Sequence, residues 1–218
     1  MVQLLTERIH SYFVNELGMP DEQAMVLHRD YYTKYGLALR GLLRHHDVDG
    51  LDFDKKCDQS LPLEDFLKPD PAIRRLLLDI DRTKARVWAL TNAYITHARR
   101  VLHILKLDDL IEDIVYCDYS TKDFVCKPEI EYYTQALEKA NVQDPSKCFF
   151  VDDNLQNVRA AKRVGWGSCV HYREPKETDS TPINQIETHE GVDATIESLE
   201  ELRVIWPHIF KSARTDNE

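Results

Sequence analysis

The chain has 218 residues, enough for one compact domain, or a domain carrying an insertion, with a radius of gyration of roughly 17 Å. Its 43% hydrophobic and 30% charged residues exclude a disordered or fibrous chain. The 38 acidic side chains outnumber 28 basic ones, and the formal charge of −10 opposes unspecific binding to nucleic acid or to an anionic membrane. A small anionic substrate held by local cations or a metal stays open. Cys57, Cys117, Cys126, Cys148 and Cys169 form an odd set without a Cys-x-x-Cys pair, so reduced and mostly buried thiols are expected. The start, Met1 to Arg8, has no basic segment followed by an apolar stretch, and no run of 18 apolar residues occurs anywhere. Neither a signal peptide nor a membrane span is expected, and the default location is cytoplasmic, with the nucleus also open.

Up to Thr83 the apolar positions recur at helical spacing. Leu5, Ile9 and Phe13 share one face, and Gly18 offers a stop before Pro20. A second helix is expected to about Tyr35 with Gly36 as its C-terminal residue, and a third over Leu37 to about His45. Asp47-Val48-Asp49-Gly50 reads as a turn. Asp70-Pro71 reads as a cap with Pro at the first helical position, opening a helix through Leu76, Leu77 and Ile80. From Ala85 short apolar runs alternate with helices, the pattern of parallel β/α units. Strands are expected at Val87–Leu90, Ile114–Cys117, Cys148–Val151, Ser168–Tyr172 and Ala194–Ile196. Helices are expected at Ile95–Lys106, Glu129–Ala140, Asn154–Val164 and Leu199–Phe210. Glu174 to Gly191 reads as a long loop, and Ser212 to Glu218 as a frayed tail. The expected organisation is an all-helical cap over 1–84 and an α/β core with a parallel sheet over 85–218.

In open α/β sheets, ligands gather beyond the carboxyl ends of the strands. Three such ends stand out. Thr91-Asn92-Ala93 follows the first strand, at a turn whose backbone N–H groups suit an anion. Lys127-Pro128 lies ahead of the next helix, and Asp152-Asp153 follows the third strand with Asn157 on the first turns of the helix beyond. Each has a bland reading: Thr91 as a helix cap, Lys127 as a solvated charge, one aspartate as a cap. Adjacent carboxylates at a strand end nevertheless repel unless a cation or hydrogen-bond donors compensate. Asp152, Asp153 and Asn157 together suit Mg²⁺, a hard ion that keeps waters and shares a substrate phosphate.

The order Thr-Asn, Lys-Pro, Asp-Asp-x-x-x-Asn resembles the haloacid dehalogenase-like phosphohydrolases. More narrowly, Tyr31-Tyr32-Thr33-Lys34-Tyr35-Gly36, Leu39-Arg40-Gly41-Leu42, Thr91-Asn92-Ala93-Tyr94, Tyr116-Cys117-Asp118-Tyr119 and Phe150-Val151-Asp152-Asp153-Asn154 are similar to the fungal pyrimidine 5′-nucleotidase branch. The resemblance implies a helical cap over a doubly wound parallel sheet and Mg²⁺-dependent hydrolysis of a small phosphorylated metabolite such as a nucleoside monophosphate. It carries the second-motif threonine onto Thr91, the phosphate-binding lysine onto Lys127, and the acidic metal motif onto Asp152 and Asp153, with Asn157 in support. Asn92, Tyr35 and Arg40 are the expected substrate contacts, the last two with Tyr31 and Tyr32 lining a base pocket, although aromatics at helical spacing more often belong to a core.

The resemblance also implies a strand ending in Asp-x-Asp ahead of the cap, its first aspartate the nucleophile and its second the general acid and base. The cap helix here begins at the initiator methionine, and neither aspartate has a counterpart. A shortened gene model, splice form or fragment of a nucleotidase is therefore expected, with turnover weak or absent because phosphoryl transfer needs that carboxylate. The central strand would be missing too, leaving the strands that end at Thr91 and Asp152 without a shared neighbour. Leu76-Leu77-Leu78-Asp79-Ile80-Asp81-Arg82-Thr83 matches the motif by pattern, but too little chain lies between Thr83 and Thr91 for the crossover that parallel pairing requires. It reads better as the end of a surface helix. His45 to Asp54 is no calcium loop, since Gly50 is fourth rather than sixth from Asp47. The competing expectations are a non-catalytic phosphate or partner binder and, more weakly, a hydrolase of sugar phosphates or a dehalogenase.

Overall fold

The computed structural model describes residues 2–174 and 191–212. Apart from their outermost residues, the expected loop over 174–191 and tail over 212–218 lie outside the described residues. The chain divides into two compact units that interleave in sequence: Met1–Pro69 with Ala89–Lys127, and Asp70–Trp88 with Pro128–Glu218. The change of hydrophobic period near residue 84 is thus a feature of the pattern, while by packing the helix opened by Asp70-Pro71 groups with the C-terminal residues.

In the first unit, α1 (Val2–Asn15) packs on α2 (Asp21–Tyr35) and on α4 (Gly50–Lys56), and α3 (Ala38–His45) packs on α2 and α4. The core follows the helical spacing of the apolar residues: Phe13, Leu39, Leu42, Phe53 and Leu63 are buried, and the Tyr12 and Phe53 rings meet edge to face at 5.1 Å. Gly36, at φ 75°, ends α2 in the left-handed conformation that a side chain would resist. The expected turn at Asp47–Gly50 proves to be a helix start. Asp49 accepts a hydrogen bond from the Leu51 N–H at 2.9 Å and so caps α4, and a Cβ on Gly50 would fall 2.3 Å from the Tyr119 carbonyl oxygen. After the short α5 (Leu63–Phe66) and the strand β1 (Trp88–Leu90) comes α7 (Ile95–Ile104), against which α5 rests; β1 pairs with β2 (Asp113–Val115).

In the second unit, β3 (Phe149–Asp152), β4 (Ser168–Tyr172) and β5 (Ala194–Ile196) form a parallel sheet in that order, with Asp152 opposite His171 and His171 opposite Thr195. The helix α9 (Leu155–Arg163) covers β3 and β4, and α8 (Ile130–Lys139) packs on α9. The opposite face carries an apolar cluster in which Val170, Ala194 and Ile196 meet Leu76 of α6 (Pro71–Leu78), Ile80 and Phe210. An antiparallel bridge between Ile80 and Phe210 and an Arg203–Asp79 ion pair at 2.9 Å tie that segment down. The expected final helix is broken into short pieces. A capping box joins Ser198 and Glu201, α10 spans only Leu202–Ile205, and Pro207 cannot continue it.

Among the described residues the strands therefore form two sheets, β1–β2 and β3–β4–β5, rather than one. No helix among the described residues is long and apolar enough to cross a membrane. All five cysteines are free thiols, and only Cys148 is not buried.

Candidate functional site

Of the eight residues singled out from sequence, five lie in the first unit. The apolar run Trp88–Leu90 ends at Thr91, whose N–H still donates to the Val115 carbonyl at 2.9 Å. Thr91 is thus held at the carboxyl end of β1, and its Oγ1 accepts from the Ala93 N–H at 3.0 Å, closing the turn into α7. Asn92 grips the main chain of Lys127 from both sides. Its Nδ2 donates to the Lys127 carbonyl at 2.9 Å, and its Oδ1 accepts from the Lys127 N–H at 2.7 Å. The Lys127 ammonium, on a side chain only 8% exposed, donates to the Leu90 carbonyl at 2.9 Å. Ammonium and hydroxyl are brought to one strand end, a pair of donor groups suited to an anion.

Arg40 and Tyr35 hold the segment that leads into Lys127. The buried Arg40 guanidinium donates to the Lys122 carbonyl at 3.3 Å and lies 5.3 Å from the Phe124 ring centre. The Tyr35 carbonyl accepts from the Cys126 thiol at 3.3 Å, while its hydroxyl meets His45 Nε2 at 2.7 Å. Tyr31 stacks on His45, with ring centres 5.4 Å apart. Tyr119 enters the sequence reading only within a motif; its hydroxyl donates to the Asn92 carbonyl at 2.9 Å and its ring stacks on Tyr94. Burial holds the Tyr119 hydroxyl well above the usual phenol range, so it stays a donor. A buried acid pair lies in the same unit. Asp54 accepts from Gln59 Nε2 at 2.6 Å and from Thr96 Oγ1 at 3.3 Å, and burial, reinforced by Asp54, pushes the Asp58 carboxyl up to about 7.

Asp152, Asp153 and Asn157 lie in the second unit. One Asp152 oxygen accepts from the Asn154 N–H and from Asn157 Nδ2, both at 2.9 Å. Asn154 in turn caps α9 by accepting from the Gln156 N–H, so the same turn starts the helix and fixes the carboxylate. Asn157 is 7% exposed, and its carbonyl accepts from the Tyr133 hydroxyl at 2.8 Å. Tyr133, Phe150 and Trp166 meet edge to face at 5.4 to 5.9 Å and anchor β3 beneath this end. Asp153 is exposed, and its carbonyl is met by His171 Nε2 at 3.1 Å. Sequence reasoning missed Tyr133 and His171; a histidine at the carboxyl end of a strand was the one available signal.

Among the described residues no three His, Cys, Asp or Glu side chains gather at metal-binding distances. The donor set is therefore one oriented carboxylate and one exposed carboxylate. That suits a hard cation completing its shell with water and ligand oxygens, and does not suit a closed cage of the zinc type.

A family model of haloacid dehalogenase-like hydrolases matches residues 4–165. Phosphate metabolism protein 8 of Saccharomyces cerevisiae is 36% identical over 191 residues, covering 84% of this chain and 60% of that protein. The chain thus spans less than two thirds of the length of this curated relative. In fold it is similar to CbbY from Rhodobacter sphaeroides, solved in complex with phosphate, at a TM-score of 0.62 and 19% identity, with 92% of this chain and 89% of that one covered. It is also similar to a dehalogenase solved with an intermediate complex, at a TM-score of 0.55 and 19% identity, with 94% and 92% covered.

Proposed function

The chain belongs to the haloacid dehalogenase-like hydrolase family, and on that premise we propose that it handles phosphomonoesters with magnesium, most like a pyrimidine nucleoside 5′-monophosphate nucleotidase. The observation that carries this reading is the double grip of Asn92 on the Lys127 main chain, which sets a buried ammonium beside Thr91 at the end of β1. In this reading the Thr91 hydroxyl and the Lys127 ammonium hold phosphoryl oxygens, and Asp152 with Asp153 holds the metal. Asn157 keeps Asp152 oriented. Magnesium, when bound, supplies neutralising charge for the phosphoryl oxygens. The stacked Tyr31 and His45 rings, with Tyr35 hydrogen-bonded to His45, offer the cap residues up to 84 an aromatic surface for a base.

The segment from Leu76 to Thr83 supplies no nucleophile. Asp79 ends α6 and pairs with Arg75 and Arg203, and one Asp81 oxygen accepts from the Thr83 N–H and hydroxyl. Neither is the strand-end carboxylate that attack on phosphorus requires, and in this reading the residues described bind the ligand with weak or no turnover. A second reading, a phosphate binder without catalysis, is favoured by the same observation. Phosphate release from UMP and CMP with Mg²⁺, measured beside equilibrium binding, separates the two. Turnover abolished in Asp153→Ala supports the enzyme, saturable binding without turnover supports the binder, and no binding of either nucleotide overturns both.

A further inference from the structure

The sheet of the second unit carries a polar row that the proposed function leaves unused. Phe149, Val151, Val170, Tyr172, Ala194 and Ile196 belong to the apolar cluster on one face. Alternation therefore puts Asp152, His171 and Thr195 on the other, and the strand register sets them side by side. His171 Nε2 lies 3.1 Å from the Asp153 carbonyl oxygen. A carbonyl only accepts, so Nε2 carries the hydrogen, and Nδ1 of the neutral ring is left as an acceptor. That Nδ1 is buried and has no hydrogen-bond partner among the described residues. On the neighbouring strand the Thr195 hydroxyl is likewise buried and without a partner, on a side chain 6% exposed. An acceptor lacking a donor and a hydroxyl lacking an acceptor thus occupy paired positions, where side chains stand about 5 Å apart, within reach of each other through one water.

We propose that His171 is a positioning residue for the Asp152–Asp153 turn: its Nε2–H holds the Asp153 carbonyl, and its Nδ1 receives the Thr195 hydroxyl directly or through one buried water. The inference rests on the reading of that turn as the magnesium site. It gives the exposed Asp153 a fixed main chain and so complements the two N–H donors that fix Asp152. Outer partners of this kind change metal affinity when removed, by about 10–100-fold in well-studied sites.

The test is calorimetric titration of Mg²⁺ into the full chain and into His171→Leu, His171→Gln and Thr195→Val, with ring ¹⁵N spectra of His171. The expected result is Mg²⁺ binding about tenfold weaker in His171→Leu, rescue in His171→Gln, whose amide N–H replaces Nε2–H, and an Nε2–H tautomer whose Nδ1 signal moves in Thr195→Val. Unchanged Mg²⁺ affinity in a folded His171→Leu, or an Nδ1–H tautomer in the wild type, overturns it. If His171→Leu does not fold, the tautomer and the Gln variant still decide. A wild-type chain with no saturable Mg²⁺ binding refutes the magnesium reading of the turn, and the spectra then judge the His171 contacts alone.

Discussion

The two compact units bury different things. Among the described residues, the polar side chains buried in the first are ionisable, namely Arg40, Asp54, Asp58 and Lys127, whereas those buried in the second are the neutral Asn157 and Thr195. The second unit leaves its adjacent carboxylates at or near the surface and satisfies one of them with N–H donors. A buried charge is costly unless its environment is built for it, so the stability of the first unit is tied to pH and, in the proposed reading, its binding groups are preassembled. The second has hydrogen bonds that orient one of two adjacent carboxylates, and in the proposed reading a cation neutralises the pair.

The largest expected effect lies in the buried acid pair. Because the folded Asp58 titrates at about 7 rather than near 3.8, burial favours its protonated form. The stability it contributes is present below about pH 4 and lost as the pH rises through 7, a change on the order of 4 kcal/mol. Asp58→Asn should remove that loss, so its urea midpoint should rise relative to wild type between pH 4.5 and 8. Burial lowers the pKa of His28, His46 and His97, which therefore destabilise the fold as the pH falls, and only the difference between the two proteins isolates Asp58. Parallel curves across that range would remove Asp58 as the source.

Next comes Lys127→Met, which takes the ammonium from the end of β1. Affinity for inorganic phosphate should fall about 100-fold, the loss expected for a charge-assisted hydrogen bond. Asp153→Ala should leave phosphate binding in metal-free buffer unchanged. Equal losses in the two variants without metal would break the contrast between a preassembled anion seat and a cation-dependent acid pair. Asn92→Ala removes both bonds to the Lys127 main chain and should cost about 2 kcal/mol by urea unfolding. Asn157→Ala should cost about 1 kcal/mol, since Asp152 keeps the Asn154 N–H. An Asn157→Ala loss equal to or larger than that of Asn92→Ala would reverse the ranking of the two strand ends.

The strand ends were legible because an apolar run stopping at a polar pair is a local signal: Trp88–Leu90 before Thr91, and Phe149–Val151 before the aspartates. The roles of Thr91 and Lys127 came from resemblance, since one Lys-Pro pair says nothing by itself. The grip of Asn92 on residue 127, across 35 positions, has no local signature, and neither has the bond from Tyr133 to Asn157. Asp47 to Gly50 was read as a turn because Asp and Gly serve turns and helix starts alike; what distinguishes them is Tyr119, whose carbonyl leaves room only for a glycine at position 50. The last helix failed as a single element because Pro207 outweighs the apolar spacing of Leu202, Ile205 and Ile209.

The proposed function requires an anion seat at Thr91 and Lys127 and a cation seat at Asp152 and Asp153. Calorimetric titration of inorganic phosphate and, separately, of Mg²⁺ into the wild type, Lys127→Met and Asp153→Ala measures both directly. Phosphate should bind the wild type and bind Lys127→Met about 100-fold more weakly, while saturable Mg²⁺ binding should be lost in Asp153→Ala and kept in Lys127→Met. A wild type that binds neither phosphate nor Mg²⁺, or variants that keep wild-type affinity for both, would contradict it.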